Sequence, residues 1–298
     1  MNDDLKKHIE LLAQEALIDE VRYIDAEDLE PKELFQGRQP RDLLPKAKSI
    51  ILFSVYIGAF HFEDWAPETY AKTSRLALSG FYFNVAEPLK PIKEFLISRG
   101  LQAVICDGSQ ETNCIPLKNA AVKAGLGWIG KNTLLINRKY GSWQALGAIL
   151  TDTDLSEEYL LEKNLCGTCT ACISACPLHG LNKPGQLDRS GCLSSLLEED
   201  DVPEEVQYIK QNYVLECDIC QEKCPWNKTH IHNPMDTPMG RTFTNKTELL
   251  ELFKYEELLK MSESDYLTKM VPNLSGFSLP YEIIRRNLKL AYTMSKND

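Results

Sequence analysis

Eight of the ten cysteines in this 298-residue chain fall between Cys166 and Pro225. They begin as Cys166-Gly-Thr-Cys169-Thr-Ala-Cys172-Ile-Ser-Ala-Cys176-Pro177, continue through a lone Cys192, and end as Cys217-Asp-Ile-Cys220-Gln-Glu-Lys-Cys224-Pro225. The first run is C-x2-C-x2-C-x3-C-P, the pattern that holds cuboidal iron–sulfur clusters in bacterial ferredoxins. Three cysteines two apart on a turning loop can each reach a different iron of one cube. The fourth, followed by proline, leaves the loop and ligates the other cluster where two are present. The second run supplies C-x2-C-x3-C-P, and Cys192 makes up the number. The arithmetic assigns Cys166, Cys169, Cys172 and Cys224 to one 4Fe-4S cluster, and Cys176, Cys192, Cys217 and Cys220 to a second. Such a pair moves single electrons.

Two other uses of these thiols were weighed. Disulfides fit poorly, because the N-terminus Met1-Asn-Asp-Asp-Leu-Lys-Lys lacks a secretory signal and the spacing is not that of a small secreted scaffold. Zinc takes C-x2-C pairs, but the four-cysteine run ending in Cys-Pro is an unusual zinc framework. Cys106 and Cys114 stand outside the pattern; Cys106 reads as a small core residue and Cys114 as a neighbour of a candidate acid.

The length suits about two domains. No run approaches the roughly twenty apolar residues that cross a bilayer, so no membrane contact is expected, and reduced, cluster-bearing cysteines point to the cytoplasm. A formal charge of −10 lacks the overall electrostatic footprint of a nucleic-acid binder. Arg285, Arg286 and Lys289 are the candidates for a local basic patch; a solvated helix face is the simpler reading of them.

The elements that must position the cysteines read as follows. Leu5, Ile9, Leu12 and Ala16 stand at helical spacing behind Asp3 and Asp4. Ser49-Ile-Ile-Leu-Phe-Ser-Val-Tyr56 is a continuous apolar run, the mark of a buried strand. A helix is expected around 82–99, with Pro88 and Pro91 in its first turns, a strand over 102–107, and a helix from Pro116 to Ala124. Strands follow at 133–136 and 143–150, and further helices at 246–262 and 280–294. Between helix and strand lies Gly125-Leu-Gly127-Trp-Ile-Gly130-Lys131-Asn132. It formally matches G-x-G-x-x-G, but it follows a helix, where the dinucleotide fingerprint needs a strand first. Its glycines would permit close backbone approach to a ligand. The organisation is therefore an α/β (α+β) domain over 1–155, a two-cluster ferredoxin-like module over 156–235, and a helical segment over 236–298 packing on the core. His230 and His232, in a polar stretch, have no further ligand types nearby.

Three blocks of this sequence resemble the epoxyqueuosine reductases, cobalamin-dependent enzymes that complete the tRNA nucleoside queuosine. They are Leu43-Leu-Pro-Lys-Ala-Lys-Ser-Ile50; Ala124-Gly-Leu-Gly-Trp-Ile-Gly-Lys-Asn132 with Tyr140-Gly-Ser142 and Thr151-Asp152; and the cysteine segment with Gly185-Gln-Leu187. Arg286-Asn287 matches a further pair. Reductive dehalogenases resemble the central block, and Ile115-Pro-Leu-Lys118 looks more like theirs. The resemblance implies a nitroreductase-like domain holding cobalamin against the cluster module, and an external electron donor such as a flavodoxin or ferredoxin. Gly127 and Gly130 would lie close to that cofactor, Lys131 and Asn132 would shape the turn, Leu135 and Leu146 would line the corrin, and Asp218 would approach its rim. Where the family carries its proton-donating aspartate this chain has Glu111, with Asp107 the rival if the register shifts. The family's Tyr-Ala-x-Gly-x-Asp-Tyr-His segment is replaced by Leu76-Ala-Leu-Ser-Gly80-Phe-Tyr-Phe83. With the acidic charge, these departures count against tRNA as the substrate. Two functions stay open: a reductase acting on epoxyqueuosine in tRNA or another small electrophile, and an electron-transfer protein with no substrate chemistry of its own.

Overall fold

A computed structural model describes residues 2–27, 29, 39–62, 65–79, 86–106, 115–228, 247–274 and 279–296. Its centre is a four-stranded sheet. Strand β2 (Ser49–Tyr56) lies between β1 (Glu20–Asp25) and β7 (Gln144–Thr151), and β4 (Ala103–Cys106) closes the far edge of β7. The other strands, introduced with the site, are β3 (Lys72–Thr73), β5 (Trp128–Ile129), β6 (Leu135–Ile136) and β8 (Tyr213–Leu215). Every neighbour in the central sheet is antiparallel, with Ser49 opposite Thr151 and Ala103 opposite the same threonine from the other side.

Every residue of β2 is buried, which is unusual for antiparallel strands and follows from helices on both faces. Alternation sends Ile51, Phe53 and Val55 to one core and Ile50 and Leu52 to the other. The first core is closed by helix α1 (Asn2–Glu15), which contributes Leu5, Ile9 and Ala13, and by α2 (Ala86–Ser98), which contributes Leu89, Ile92 and Leu96. Helix α2 carries Pro88 and Pro91 within its first two turns and continues through both. The last helix, α4 (Tyr281–Lys296), adds Ile284, Leu288 and Ala291 to this core. The second core packs under the short helix α3 (Leu117–Lys123), whose Ala120 and Ala121 let it approach the sheet closely. Cys106 lies there, fully buried. Among the described residues no helix is long and apolar enough to cross a membrane.

Strand β1 has no apolar run of its own and is held by pairing with β2 along one edge. The strands expected at 133–136 and 143–150 are present, in different sheets: β6 pairs with β5 in a small hairpin, while β7 lies inside the central sheet.

Asp19, just before β1, accepts a hydrogen bond from the Tyr56 amide at 2.7 Å. Burial pushes its carboxyl up to about 6, against that hydrogen bond and Lys139. A raised carboxyl pKa means the native state binds the extra proton, so stability is lost as pH rises from the unfolded value of 3.8 to about 6. Asp19→Asn keeps the acceptor and removes the titration. In denaturant unfolding its stability relative to wild type should rise across that window and level off above it; a constant difference from pH 4 to pH 7 would show that Asp19 ionises freely.

Candidate functional site

The two cysteine runs fold alike. Each places one cysteine on a short helical turn, Cys172 in Ala171–Ala175 and Cys220 in Ile219–Glu222. Each then ends at Cys-Pro, and proline disfavours the helical conformation for the residue before it. Cys176 (φ −67°, ψ 114°) and Cys224 (φ −69°, ψ 124°) are accordingly extended. That single change of backbone direction carries the fourth thiol away from its own loop.

The thiols converge on two cavities. One, of about 370 Å³, is lined by Cys166, Cys169, Cys172 and Cys224. The other, of about 210 Å³, is lined by Cys176, Cys192, Cys217 and Cys220. None of the nine described cysteines is in a disulfide. Burial, followed by the neighbouring thiols, raises the pKa of Cys172 and Cys224. Cys217 is raised well above its ordinary value by burial, and Cys220 is pushed up to about 12 by burial and the charges of Asp218 and the other thiols. Cysteines gathered in fours round a cavity are the ligand chemistry of a strongly positive centre that binds thiolates. The donor set therefore fits iron–sulfur clusters.

The second cavity is not walled by cysteines alone. Ser74, Leu76, Thr133 and Leu134 line it from outside the cysteine segment. Ser74 and Leu76 are brought there by a seam in which β3 pairs in parallel with β8, and Thr133 and Leu134 by the β5–β6 hairpin. Thr73 Oγ1 donates to the Leu215 carbonyl at 3.0 Å, and Ser74 Oγ donates to Glu216. Asp218, 2% exposed, accepts from the Arg75 amide at 2.7 Å and from Gln221 Nε2 at 2.8 Å. Burial pushes Asp218 up to about 6 and Glu216 to about 8, the Arg75 partnership opposing the first and Ser74 the second. Lys72 pairs with Glu222 across the same seam. Asp218 thus lines the cavity and also ties the two segments together. The seam residues gave no sequence signal: Lys72 to Arg75 lack periodicity, and Glu216 is hidden beside a cysteine.

The β5–β6 hairpin presents the Gly-rich turn. Lys131 Nζ donates to the carbonyls of Gly167 and Cys169 at 2.7 and 2.8 Å, clamping the first cysteine loop. Asn132 lines both cavities. The glycines also have a use inside the hairpin. A Cβ on Gly127 would stand 2.0 Å from the Ile136 carbonyl oxygen, and one on Gly130 2.4 Å from Ile136 Cδ1. The close approach they allow is to the hairpin's own partner strand. Gly127→Ala should therefore destabilise the fold by about 3 kcal/mol and weaken the grip on the first cavity. Thermal unfolding and iron content measure both, and wild-type values for each would refute this account of the glycine. Leu135 is buried in the second core and Leu146 packs on it, while Leu134 lines the second cysteine-ringed cavity. Asp107, Glu111, Cys114, His230 and His232 lie outside the described residues.

A third cavity, of about 670 Å³, is lined by Arg285, Arg286, Lys289 and the exposed Tyr208. Arg286 is committed structurally: its guanidinium donates to the carbonyls of Leu197, Glu199 and Asp200.

Residues 165–227 match the 4Fe-4S double cluster binding domain. Over 256 residues the chain is 33% identical to the epoxyqueuosine reductase of Cellulophaga algicola, covering 84% of this chain and 78% of that protein. It is 35% identical to the epoxyqueuosine reductase of a Synechococcus species over 68% of this chain and 63% of the relative. Its fold is similar to that of an epoxyqueuosine reductase crystallised with an epoxyqueuosine-modified tRNA-Tyr stem loop, at a TM-score of 0.79 and 23% identity, covering 100% of this chain and 83% of the other. A catabolic reductive dehalogenase in complex with 3-bromo-4-hydroxybenzoic acid is a more distant likeness, with a TM-score of 0.55, 17% identity, and coverage of 95% of this chain and 36% of the other.

Proposed function

Because the chain belongs to the epoxyqueuosine reductase family, we propose that this oxidoreductase reduces the epoxide of epoxyqueuosine in tRNA, drawing electrons through two 4Fe-4S clusters. The observation that carries the reading is the pair of cavities, each ringed by four cysteines taken from both runs, the second also walled by Ser74, Leu76 and Leu134. The ligand sets are Cys166, Cys169, Cys172 and Cys224 for one cluster, and Cys176, Cys192, Cys217 and Cys220 for the other. A mixed wall of this kind, reaching outside the cysteine segment, suits a reductive cofactor lying between electron source and substrate.

That cofactor is a cobalamin, whose reduced cobalt supplies a strong nucleophile or reductant when bound. Its support is the family and the wall of the second cavity, where Thr133, Leu134 and Asp218 would meet it; the core positions of Leu135 and Leu146 give it none. Removing an epoxide oxygen as water takes two electrons and two protons. The clusters carry electrons singly, so a reduced flavodoxin or ferredoxin must deliver them in succession, and protein acids must supply the protons. Glu111, or Asp107, takes that role. The net charge of −10 argues only about the whole surface; substrate tRNA needs a local site, and the cavity with Arg285, Lys289 and Tyr208 has cations and an exposed ring.

The test is anaerobic turnover. Protein reconstituted with iron, sulfide and cobalamin, and given a strong reductant, should convert an epoxyqueuosine-bearing stem loop to a nucleoside lighter by one oxygen. Fully clustered, cobalamin-loaded protein that leaves the stem loop unchanged would overturn the proposal.

A further inference from the structure

The amide of Asn132 is 4% exposed, and its Nδ2 has no hydrogen-bond partner. An unpaired buried amide donor costs about 1–3 kcal/mol, so such a group needs a reason. Its other end is used: Oδ1 accepts from the Leu134 amide at 3.3 Å, within the turn closed by Thr133 N donating to the Gly130 carbonyl at 3.0 Å. With the oxygen engaged inside the turn, the nitrogen is the end of the amide left without a partner. Asn132 lines both cysteine-ringed cavities and so stands in the wall they share. Trp128 Nε1 is also unpaired, but that indole packs edge-to-face on Trp226 and lines neither cavity.

We propose that Asn132 is a potential-setting residue, its two Nδ2 hydrogens donated to cluster sulfurs across this shared wall. The inference rests on the two-cluster reading of the site. Neutral N–H donors aimed at cluster sulfurs favour the reduced, more negative cluster and raise its reduction potential. The absent partner is supplied by thiolate or sulfide sulfur. Lys131, the adjacent residue, is spent on backbone carbonyls of the first loop, and of the turn's side chains only Asn132 lines both cavities.

Iron and sulfide analysis comes first: protein that assembles no clusters refutes the cluster reading itself. With clusters present, the reduced wild-type holoprotein carrying asparagine labelled with nitrogen-15 in the side chain should show a nitrogen hyperfine coupling in pulsed paramagnetic resonance. Asn132→Leu and Asn132→Asp should both lose it. Asn132→Asp keeps the Oδ1 acceptor for Leu134, so it serves if the leucine variant fails to fold. In Asn132→Leu, redox titration should show the reduction equilibrium of at least one cluster falling about tenfold, about 59 mV for one electron. A shift confined to one cluster assigns both hydrogens to it. No coupling in wild type, a coupling that persists in Asn132→Asp, or unmoved potentials in a fully clustered Asn132→Leu would each overturn the proposal.

Discussion

Cys192→Ala is expected to halve the iron content, from about eight irons per chain to about four. Cys192 has no sequence neighbour among the cysteines, yet it lines the second cavity with Cys176, Cys217 and Cys220. Its thiol is the one ligand of that set supplied from outside both runs. Removing it leaves three ligands and a gap, while the first set stays complete. Cys106→Ser is the matched control: that thiol is fully buried in the second core, away from both cavities, and its loss should leave iron unchanged. Metal and sulfide analysis after anaerobic reconstitution reads both variants. Full iron in Cys192→Ala would break the assignment and require a different fourth ligand.

Glu111→Gln should lower turnover by roughly 10²–10⁴-fold, the usual worth of a positioned general acid. Glutamine keeps size and polarity but cannot give up a proton. Clusters and cobalamin binding should survive, which separates a chemical defect from a structural one. Glu111→Asp restores the residue type the family carries there and should retain activity. Undiminished turnover by Glu111→Gln moves the acid to Asp107, and normal turnover by the double variant removes both from the mechanism.

The cysteine spacing made the two-cluster module legible because ligand geometry is local: a few residues of loop decide which irons a thiol can reach. The β2 run was legible for a similar reason, since burial on both faces leaves no polar position to hide it. What escaped is what depends on distant partners. Strand β1 is held by register with β2 and carries no pattern of its own. The seam of Thr73, Ser74, Arg75, Glu216 and Asp218 joins residues about 140 apart, and nothing in either stretch announces the other. Gly127 and Gly130 were read toward a ligand because a sequence shows that a glycine is present but not what its missing side chain would strike.

The β3–β8 ladder and the outward-turned Cys224 also bear on how the molecule is made. Both join earlier chain to later chain: the ladder cannot form until synthesis has passed Leu215, nor the first cysteine set until it has passed Cys224. A nascent chain released to Cys172 carries three ligands of the first cluster and a loop open to oxidation. Pairings so far apart in sequence have a high contact order and close slowly. Neither cysteine set is therefore complete until the second run has been made, and a chain halted before it holds thiols without their full set of partners.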